Sequence, residues 1–325
     1  MRRLRVLLLP LKDHFEPWCD DVIQAVGAHH ELSIFDDTQL LAPQFDGIDV
    51  VIDQGGSVGT RAMMDVATDA RLWQILGTGF DHFDLEYICG KGIGVANCPG
   101  QFSSVALAET AMMFILMLGH RYREGESNFR SGVLYEPMGR ELRDLTLGII
   151  GFGASGQELA RRAKGFRMRI LGIDIRAIEP EILAELQPDL LGTPSDMDDV
   201  VAESDFLSLH LHLNAETRHI IDARRLGLMK PSACLINVAR GALVDESALY
   251  QVLTDGTLGG AGLDVFAQEP PDPTLPVFQL PNVVATPHIA GVTYETSRRR
   301  AMCAAQNVDR IAQGLEPLYR IDISA

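Results

Sequence analysis

Short apolar runs alternate with longer stretches of mixed polarity along almost the whole chain. The runs are rich in valine, isoleucine and leucine, which is typical of strands that are buried on both faces. They predict ten strands: Arg5–Leu9, Val50–Ile52, Leu72–Leu76, Ile93–Ala96, Thr146–Ile150, Arg169–Gly172, Phe206–His210, Ala233–Asn237, Gly260–Leu263 and Val283–Ala285. The stretches between them are long enough for helices. Strand–helix alternation of this kind predicts an α/β protein with doubly wound parallel sheets.

Two stretches predict longer helices. Gln101–Leu118 is rich in Ala, Leu and Met, and Ser103 or Ser104 is a suitable N-cap for it. A second helical stretch follows Thr293. We expect the chain to pass from one α/β unit to the other through the first helix and to return through the second. The predicted domains are therefore residues 1–100 together with 292–325, and residues 101–291.

Length and charge narrow the class of protein. At about 150 residues per domain, 325 residues predict two domains. The 28 basic and 44 acidic residues give a net charge of −16, which argues against a surface that binds nucleic acid. The longest apolar run, Ala111–Leu118, is far shorter than the ~20 residues that span a bilayer. We therefore expect neither a nucleic-acid partner nor a membrane partner.

The N-terminal segment and the cysteines predict a cytoplasmic protein. An apolar stretch follows the N-terminal arginines, but Pro10 ends it, so it is too short for the apolar core of a signal peptide. The five cysteines are scattered and include no CxxC pair, so we expect neither a disulfide framework nor a zinc site. His210 and His212 would share one face of a strand, as metal ligands do. No third ligand follows at a useful spacing, and we expect no metal.

A glycine motif follows one predicted strand and precedes a helix. In Gly151-x-Gly153-x-x-Gly156 the first glycine permits a tight turn, the second lets a pyrophosphate approach, and the third lets helix and strand pack closely. Asp174 ends the next strand, eighteen residues after Gly156, where a carboxylate accepts hydrogen bonds from the adenosine ribose. The pattern predicts NAD rather than NADP, although Arg176 offers either a stacking surface for adenine or a phosphate partner. The alternative is a tight turn without a ligand.

Four further clusters turn this motif into a recognisable set. They are Gly77-Thr-Gly-Phe-Asp81, Asn237-Val-Ala-Arg-Gly241, Gly262-Leu-Asp-Val-Phe266 running on to Glu269-Pro270, and Thr286-Pro-His-Ile-Ala-Gly291. From about residue 45 to the C-terminus the sequence resembles the D-isomer-specific 2-hydroxyacid dehydrogenases. The resemblance implies that Arg240, Glu269 and His288 are the catalytic residues.

Each of the three has a physical rationale. Reduction of a 2-oxo acid needs a proton donor to the carbonyl oxygen, and histidine titrates in the suitable range. A carboxylate on the far ring nitrogen fixes the tautomer and favours the imidazolium. A guanidinium binds a carboxylate through two parallel hydrogen bonds. Taken singly, each residue has an ordinary structural alternative, namely a helix-entry histidine, a surface glutamate or a solvated arginine.

The resemblance also implies binding residues for the cofactor and the substrate. Cofactor contacts are expected from Gly151, Gly153, Ala154, Ser155, Gly156, Asp174, His210, Thr217, Val238, Ala239, Asp264 and Ala290. Substrate contacts are expected from Gly55, Gly56, Thr78, Gly79, Arg240 and His288. The family usually has arginine and isoleucine where this chain has Ala154 and Ser155. A guanidinium directed at the pyrophosphate is therefore missing, and we expect a lower affinity for the cofactor.

The resemblance implies two Rossmann-like domains, a flavodoxin-like substrate domain and a dinucleotide-binding domain, with the active site in the cleft between them. It also implies a homodimer joined through the dinucleotide-binding domains. The expected reaction interconverts a small 2-oxo acid and a D-2-hydroxy acid with NAD(H). Glyoxylate or hydroxypyruvate is favoured, because Glu269 does not match the formate-oxidising branch and the chain ends soon after the last helix. The alternatives are phosphoglycerate dehydrogenase activity and a non-catalytic, NAD-sensing scaffold.

Overall fold

The computed structural model describes residues 2–11, 17–55, 59–81 and 83–322, which form two α/β units. Unit 1 contains Met1–Phe102 and Val292–Ala325, and unit 2 contains Ser103–Gly291. Within these described ranges, no helix is long and apolar enough to cross a membrane.

Unit 1 is built on a five-stranded parallel sheet in the order β2-β1-β3-β4-β5. The strands are β1 (Arg5–Leu9), β2 (Glu31–Ile34), β3 (Val50–Asp53), β4 (Leu72–Ile75) and β5 (Gly94–Ala96). The first helices are α1 (Trp18–Gly27), α2 (Leu41–Phe45), α3 (Arg61–Val66) and α4 (Leu85–Gly90). Val6 and Leu8 of β1 join the core that includes α1, whereas Leu7 and Leu9 join the core that includes α3. Both faces of β1 are therefore covered, as its continuous apolar run predicted.

Unit 2 is built on a seven-stranded parallel sheet in the order β12-β11-β10-β9-β6-β7-β8. Its strands are β6 (Thr146–Ile150), β7 (Arg169–Ile173), β8 (Leu190–Gly192), β9 (Phe206–Leu209), β10 (Cys234–Asn237), β11 (Gly260–Leu263) and β12 (Val283–Ala285). Its helices are α5 (Ser104–Gly119), α6 (Tyr122–Arg130), α7 (Ala154–Gly165), α8 (Pro180–Leu186), α9 (Met197–Glu203), α10 (Ala223–Leu226) and α11 (Glu246–Thr254). The strand order reverses between β6 and β9. In sheets of this kind, ligands bind at the carboxyl ends of the strands beside that switch point.

The C-terminal segment returns to unit 1. Helix α12 (Tyr294–Ala312) begins at the N-cap Thr293, whose side chain accepts a hydrogen bond from the Thr296 amide. Ala304 and Val308 of α12 belong to the same apolar core as α1 and β1. Arg320, near the end of the described chain, forms an antiparallel bridge with Ala96 of β5.

The α/β class and the two parallel sheets are confirmed. All ten predicted strands are present, with bounds that agree within one residue. Two strands were not predicted from the sequence: β2, at one edge of the five-stranded sheet, and β8, at one edge of the seven-stranded sheet. Most residues of these strands are exposed or half-buried, so neither has the continuous apolar run of a central strand.

Candidate active site

The glycine motif forms the turn between β6 and α7. Gly151 has φ +95°, and a Cβ on it would lie 2.6 Å from the carbonyl oxygen of His210, so only glycine fits this position. Gly156 packs directly on this turn, because a Cβ on Gly156 would lie 2.3 Å from the Gly151 carbonyl oxygen. Gly153 is the N-cap of α7, whose first turn begins with the exposed Ala154. The turn thus forms a glycine-lined cradle at a helix N-terminus, beside the switch point, and this cradle fits a pyrophosphate.

Asp174 lies directly after β7, at the neighbouring strand end. Its Oδ1 accepts hydrogen bonds from the backbone N and the Nε of Arg176 at 2.9 and 3.0 Å, and its Oδ2 accepts one from Nη2 at 3.1 Å. Desolvation opposes ionisation of this buried carboxyl, but the hydrogen bonds from Arg176 outweigh it and lower the pKa of Asp174. A Cβ on Gly153 would lie 3.2 Å from Arg176 Nη2. An ionised carboxylate and a guanidinium therefore occur together beside the glycine turn.

His210 and Ser155 meet across the switch point. His210 directly follows β9, and its Nδ1 lies 2.9 Å from the Ser155 hydroxyl, in the first turn of α7. Its Nε2 lies 2.9 Å from the hydroxyl of the buried Ser208. Thr217 lies farther along the same loop, and its hydroxyl donates to the His212 carbonyl at 2.7 Å. His210 therefore belongs to a polar network at the glycine turn, whereas the Thr217 side chain holds its own turn together.

Asp264 supports the segment that carries the predicted catalytic histidine. This fully buried residue follows β11, and its carboxylate accepts hydrogen bonds from the Thr286 hydroxyl at 2.6 Å and from the amides of Ile289 and Ala290 at 2.8 Å each. Desolvation raises the pKa of Asp264 and these hydrogen bonds oppose the increase. Its carbonyl oxygen also accepts a hydrogen bond from the His288 amide at 2.8 Å. Asp264 thereby fixes the loop around His288, while its contact with a nicotinamide stays a prediction.

Val238, Ala239 and Ala290 are apolar residues in the loops that follow β10 and β12. Val238 and Ala239 directly follow β10, and all three residues are buried. Val238 and Ala290 pack in the apolar core that includes α5 and α7, whereas Ala239 packs in the core that includes α11. Their contact with a nicotinamide ring stays a prediction.

The side chains of His288 and Glu269 lie within ion-pair distance of each other in unit 2. His288 Nδ1 lies 2.8 Å from Glu269 Oε2, and the second carboxylate oxygen accepts a hydrogen bond from the Phe266 amide at 3.0 Å. Desolvation opposes ionisation of Glu269, but the hydrogen bonds from His288 and Phe266 and the charge of Arg240 lower its pKa. The two side chains are 48% and 37% exposed, so a small molecule can reach the pair. His288 has φ +57°, a left-handed conformation that is strained for a residue with a side chain and is often found at functional sites.

Arg240 lies near Glu269 because the backbone beside it packs closely against the segment that leads to Glu269. Asn237, the last residue of β10, donates a hydrogen bond from Nδ2 to the Arg240 carbonyl at 2.8 Å, and its Oδ1 accepts one from the Ala239 amide at 3.1 Å. A Cβ on Gly241 would lie 1.9 Å from the carbonyl carbon of Phe266, so a glycine is needed where this turn meets the segment leading to Glu269. The half-buried guanidinium therefore lies close enough to Glu269 to lower its pKa.

The remaining predicted substrate residues lie in unit 1. Gly55 follows β3, and Thr78 and Gly79 follow β4, the neighbouring strand. A Cβ on Gly77 would lie 3.4 Å from the Gly79 carbonyl oxygen and 3.7 Å from that of Gly55, so the two turns are adjacent. Gly56 lies outside the described residues. The two turns share one edge of the sheet, and their role towards a substrate stays a prediction.

Two residues that support the site were not predicted from the sequence. Ser208 holds His210, and Glu246 accepts a hydrogen bond from the Ala267 amide at 2.6 Å, near Glu269. Neither belongs to a motif. Ser208 lies two residues before His210, a spacing that places two side chains on one side of an extended chain and is a weak signal for contact. Glu246 and Ala267 are far apart in the sequence and meet only in the folded chain. Among the described residues, no three His, Cys, Asp or Glu side chains are grouped to hold a metal ion.

Comparisons with known proteins identify the family. Residues 112–290 match the family described as "D-isomer specific 2-hydroxyacid dehydrogenase, NAD binding domain". The chain is 38% identical over 266 residues to the glyoxylate reductase of Thermococcus litoralis, covering 79% of this chain and 78% of that protein. It is 36% identical over 256 residues to the hydroxypyruvate reductase of Thermotoga maritima, covering 78% and 81% of the two chains.

A solved structure agrees in fold. The D-lactate dehydrogenase from Aquifex aeolicus, solved with NAD and lactic acid, superimposes with a TM-score of 0.80 at 28% identity, covering 95% of this chain and 96% of that chain. The chain therefore belongs to the D-isomer-specific 2-hydroxyacid dehydrogenase family. It is an NAD-dependent oxidoreductase that acts on the CH–OH group of a 2-hydroxy acid, and the predicted family, enzyme class and cofactor are confirmed.

Proposed function

We propose that this enzyme reduces glyoxylate or hydroxypyruvate with NADH, and that Arg240, Glu269 and His288 carry out the reaction. The observation that carries the proposal is the 2.8 Å contact between His288 Nδ1 and Glu269 Oε2, with the Arg240 charge beside it. The names of the relatives from Thermococcus litoralis and Thermotoga maritima support this substrate class.

The roles of the three residues follow from their contacts. NADH, when bound, would supply the hydride for the 2-oxo carbon. Because Glu269 occupies Nδ1 of His288, Nε2 is the ring nitrogen left to give its proton to the carbonyl oxygen of the substrate. The Glu269 carboxylate stabilises the imidazolium before the proton transfer. Arg240 binds the substrate carboxylate through its planar guanidinium and polarises the neighbouring carbonyl.

The binding residues complete the proposal. Gly151, Gly153 and the first turn of α7 would hold the pyrophosphate, and Asp174 would accept hydrogen bonds from the adenosine ribose. Val238, Ala239, Asp264 and Ala290 would surround the nicotinamide, with His210 and Thr217 at the neighbouring strand end. Backbone amides of Gly55, Thr78 and Gly79 would bind the substrate carboxylate.

We further propose a homodimer in the reducing cytoplasm. Helix α6 and the segment after it carry a set of exposed apolar side chains: Tyr122, Phe129, Val133, Leu134, Tyr135 and Met138. Apolar residues clustered in this way on a surface favour a protein–protein contact. The five free cysteines, three of them buried, fit a reducing compartment.

The test is a turnover assay that follows NADH oxidation with glyoxylate, hydroxypyruvate, pyruvate, 2-oxoglutarate and phosphohydroxypyruvate. We expect the highest kcat/KM with glyoxylate or hydroxypyruvate, and a loss of at least ~100-fold in His288→Ala, the scale of general acid catalysis. Phosphohydroxypyruvate as the best substrate would favour phosphoglycerate dehydrogenase activity instead. NADH binding without turnover of any 2-oxo acid would favour the sensing scaffold.

A further inference from the structure

Three polar side chains form a chain of hydrogen bonds that ends at the glycine turn. Ser208 on β9 contacts His210 Nε2, and His210 Nδ1 contacts Ser155 in the first turn of α7, each over 2.9 Å. The position before Ser155 is the exposed Ala154, which has no polar group to offer. Ser155 is therefore the first residue of α7 with a polar side chain, and its partner His210 lies against the glycine turn, since a Cβ on Gly151 would lie 2.6 Å from the His210 carbonyl oxygen.

The direction of the hydrogen bonds follows from the burial of Ser208. Its residue surface is fully buried, and within the described part of the chain its hydroxyl contacts only His210. A buried O–H donor needs an acceptor, so the Ser208 hydroxyl donates to Nε2. Desolvation lowers the pKa of His210 to about 4, so near neutral pH its ring carries a single proton. With Nε2 accepting, that proton is on Nδ1, and Nδ1–H donates to the Ser155 oxygen.

We propose that Ser155 is a pyrophosphate-binding residue whose hydroxyl is oriented by His210 and Ser208. Because the Ser155 oxygen accepts from Nδ1–H, its own proton is free to donate to a phosphate oxygen of the cofactor. The chain Ser208–His210–Ser155 thus compensates for the missing guanidinium at position 154. This inference rests on the proposed cofactor site at the glycine turn.

The first experiment measures the dissociation constants of NADH, ADP-ribose and adenosine by fluorescence and calorimetric titration. Since hydrogen bonds to charged groups are among the stronger ones, we expect Ser155→Ala to weaken binding of NADH and ADP-ribose roughly tenfold and to leave adenosine unchanged. Ser208→Ala removes the hydrogen bond that fixes the tautomer of His210, and it should therefore weaken NADH binding by a smaller factor than Ser155→Ala. Ser195→Ala is the matched control, because this hydroxyl contacts Thr193 outside the network, and its NADH affinity should equal that of the unmutated enzyme.

A second readout is the ring nitrogen spectrum of His210. We expect the ¹⁵N chemical shifts to report a neutral ring with the proton on Nδ1 at pH 7 in the protein without ligand. A proton on Nε2 would overturn the inference, because Ser155 would then donate to the ring rather than to the phosphate.

The binding outcomes separate this inference from the proposed function. If the unmutated enzyme binds NADH and Ser155→Ala binds it within twofold, the inference is wrong and the cofactor site stands. If Ser155→Ala weakens adenosine as much as ADP-ribose, Ser155 has a structural role in α7 and the inference is again wrong. If the unmutated enzyme does not bind NADH, the proposed cofactor site is wrong and this inference falls with it.

Discussion

Hydrogen bonds with residues that directly precede it in the sequence hold Arg240 in position. The Asn237 side chain holds the turn, and the Arg240 Nη1 donates to the Ala239 carbonyl at 2.8 Å, so one nitrogen of the guanidinium is anchored locally. A guanidinium carries five N–H donors in one plane. The geometry of this fork, rather than the charge alone, is what a substrate carboxylate would recognise.

Replacing Arg240 with Lys should therefore impair substrate use. The charge remains but the two parallel hydrogen bonds are lost, so we expect kcat/KM for the 2-oxo acid to fall at least ~100-fold, the scale of losing one positioned transition-state donor. NADH affinity, measured by fluorescence titration, should change by less than twofold. Arg218→Lys, at an exposed site in unit 2, serves as the matched control. Loss of NADH binding alone in Arg240→Lys would assign the residue to the cofactor instead.

The pair of Glu269 and His288 predicts a pH dependence. The pKa of Glu269 is lowered, so its carboxylate stays ionised from the neutral range into mild acid, 2.8 Å from His288 Nδ1. Glu269→Gln removes this charge while roughly keeping the shape of the side chain. We therefore expect the variant to lose most reduction activity in the neutral range, where Glu269 is ionised. The two proteins should become more alike as the pH falls below the lowered pKa of Glu269, because the unmutated enzyme loses the charge there as well.

The measurement is kcat/KM for the 2-oxo acid against pH, at saturating NADH, in both proteins. Glu269→Gln should lose more activity near neutrality than in acid. If the ratio of the two kcat/KM values is the same at neutral and at acid pH, Glu269 is not the electrostatic partner of His288. That result would overturn the assignment of Glu269 while leaving the family assignment intact.

At the scale of the elements, the ends of β6, β7 and β9 together form the part of the proposed cofactor site that would hold the pyrophosphate and the adenosine. Asp174 at the end of β7 holds Arg176, and this contact decides which charge faces the adenosine ribose. A carboxylate accepts hydrogen bonds from free ribose hydroxyls and repels a 2′-phosphate, whereas a guanidinium attracts that phosphate. With the carboxylate present, NADH should be the better cofactor.

Asp174→Ala should narrow the preference for NADH over NADPH. The change removes the repelling carboxylate and also releases Arg176, so we expect the ratio of the two kcat/KM values to fall roughly tenfold. The double variant Asp174→Ala/Arg176→Ala should lose the gained activity with NADPH, because it lacks the released guanidinium. Equal kcat/KM values for the two cofactors in the unmutated enzyme would contradict the prediction and indicate that Arg176 already binds the phosphate.

The sequence predicted the central elements well because burial on both faces leaves a continuous apolar run, as in β6 and β11. The edge strands β2 and β8 were missed because their exposed positions break that run. In the candidate site, motif spacing pointed to Arg240, Glu269 and His288. It could not reveal that Ser155 contacts His210, or that Asp264 holds the His288 loop, because these contacts join segments far apart in the sequence.

At the scale of the whole molecule, the proposed homodimer must overcome the charge of the chain. Each copy carries a net charge of −16, so two copies repel each other at low ionic strength. The exposed apolar side chains of α6 and the following segment provide the opposing attraction, since Phe129 is 83% and Tyr135 95% exposed in the single chain. Added salt screens the repulsion and leaves the apolar contribution in place.

Replacing both Phe129 and Tyr135 with serine should therefore produce a monomer. Light scattering of the unmutated protein at 0.15 M salt should give twice the chain mass of 35.6 kDa, and the variant should give the single mass. The matched control is Leu40→Ser, an equally exposed apolar site in unit 1, which should remain dimeric. For the unmutated protein, the dimer dissociation constant should decrease as salt rises from 0.02 to 0.3 M, in line with screening over the Debye length of about 10 Å at 0.1 M. If the unmutated protein is a monomer, or if the variant is a dimer, this apolar segment does not join two copies. If the dissociation constant increases with salt, charge pairing rather than apolar contact holds the two copies together.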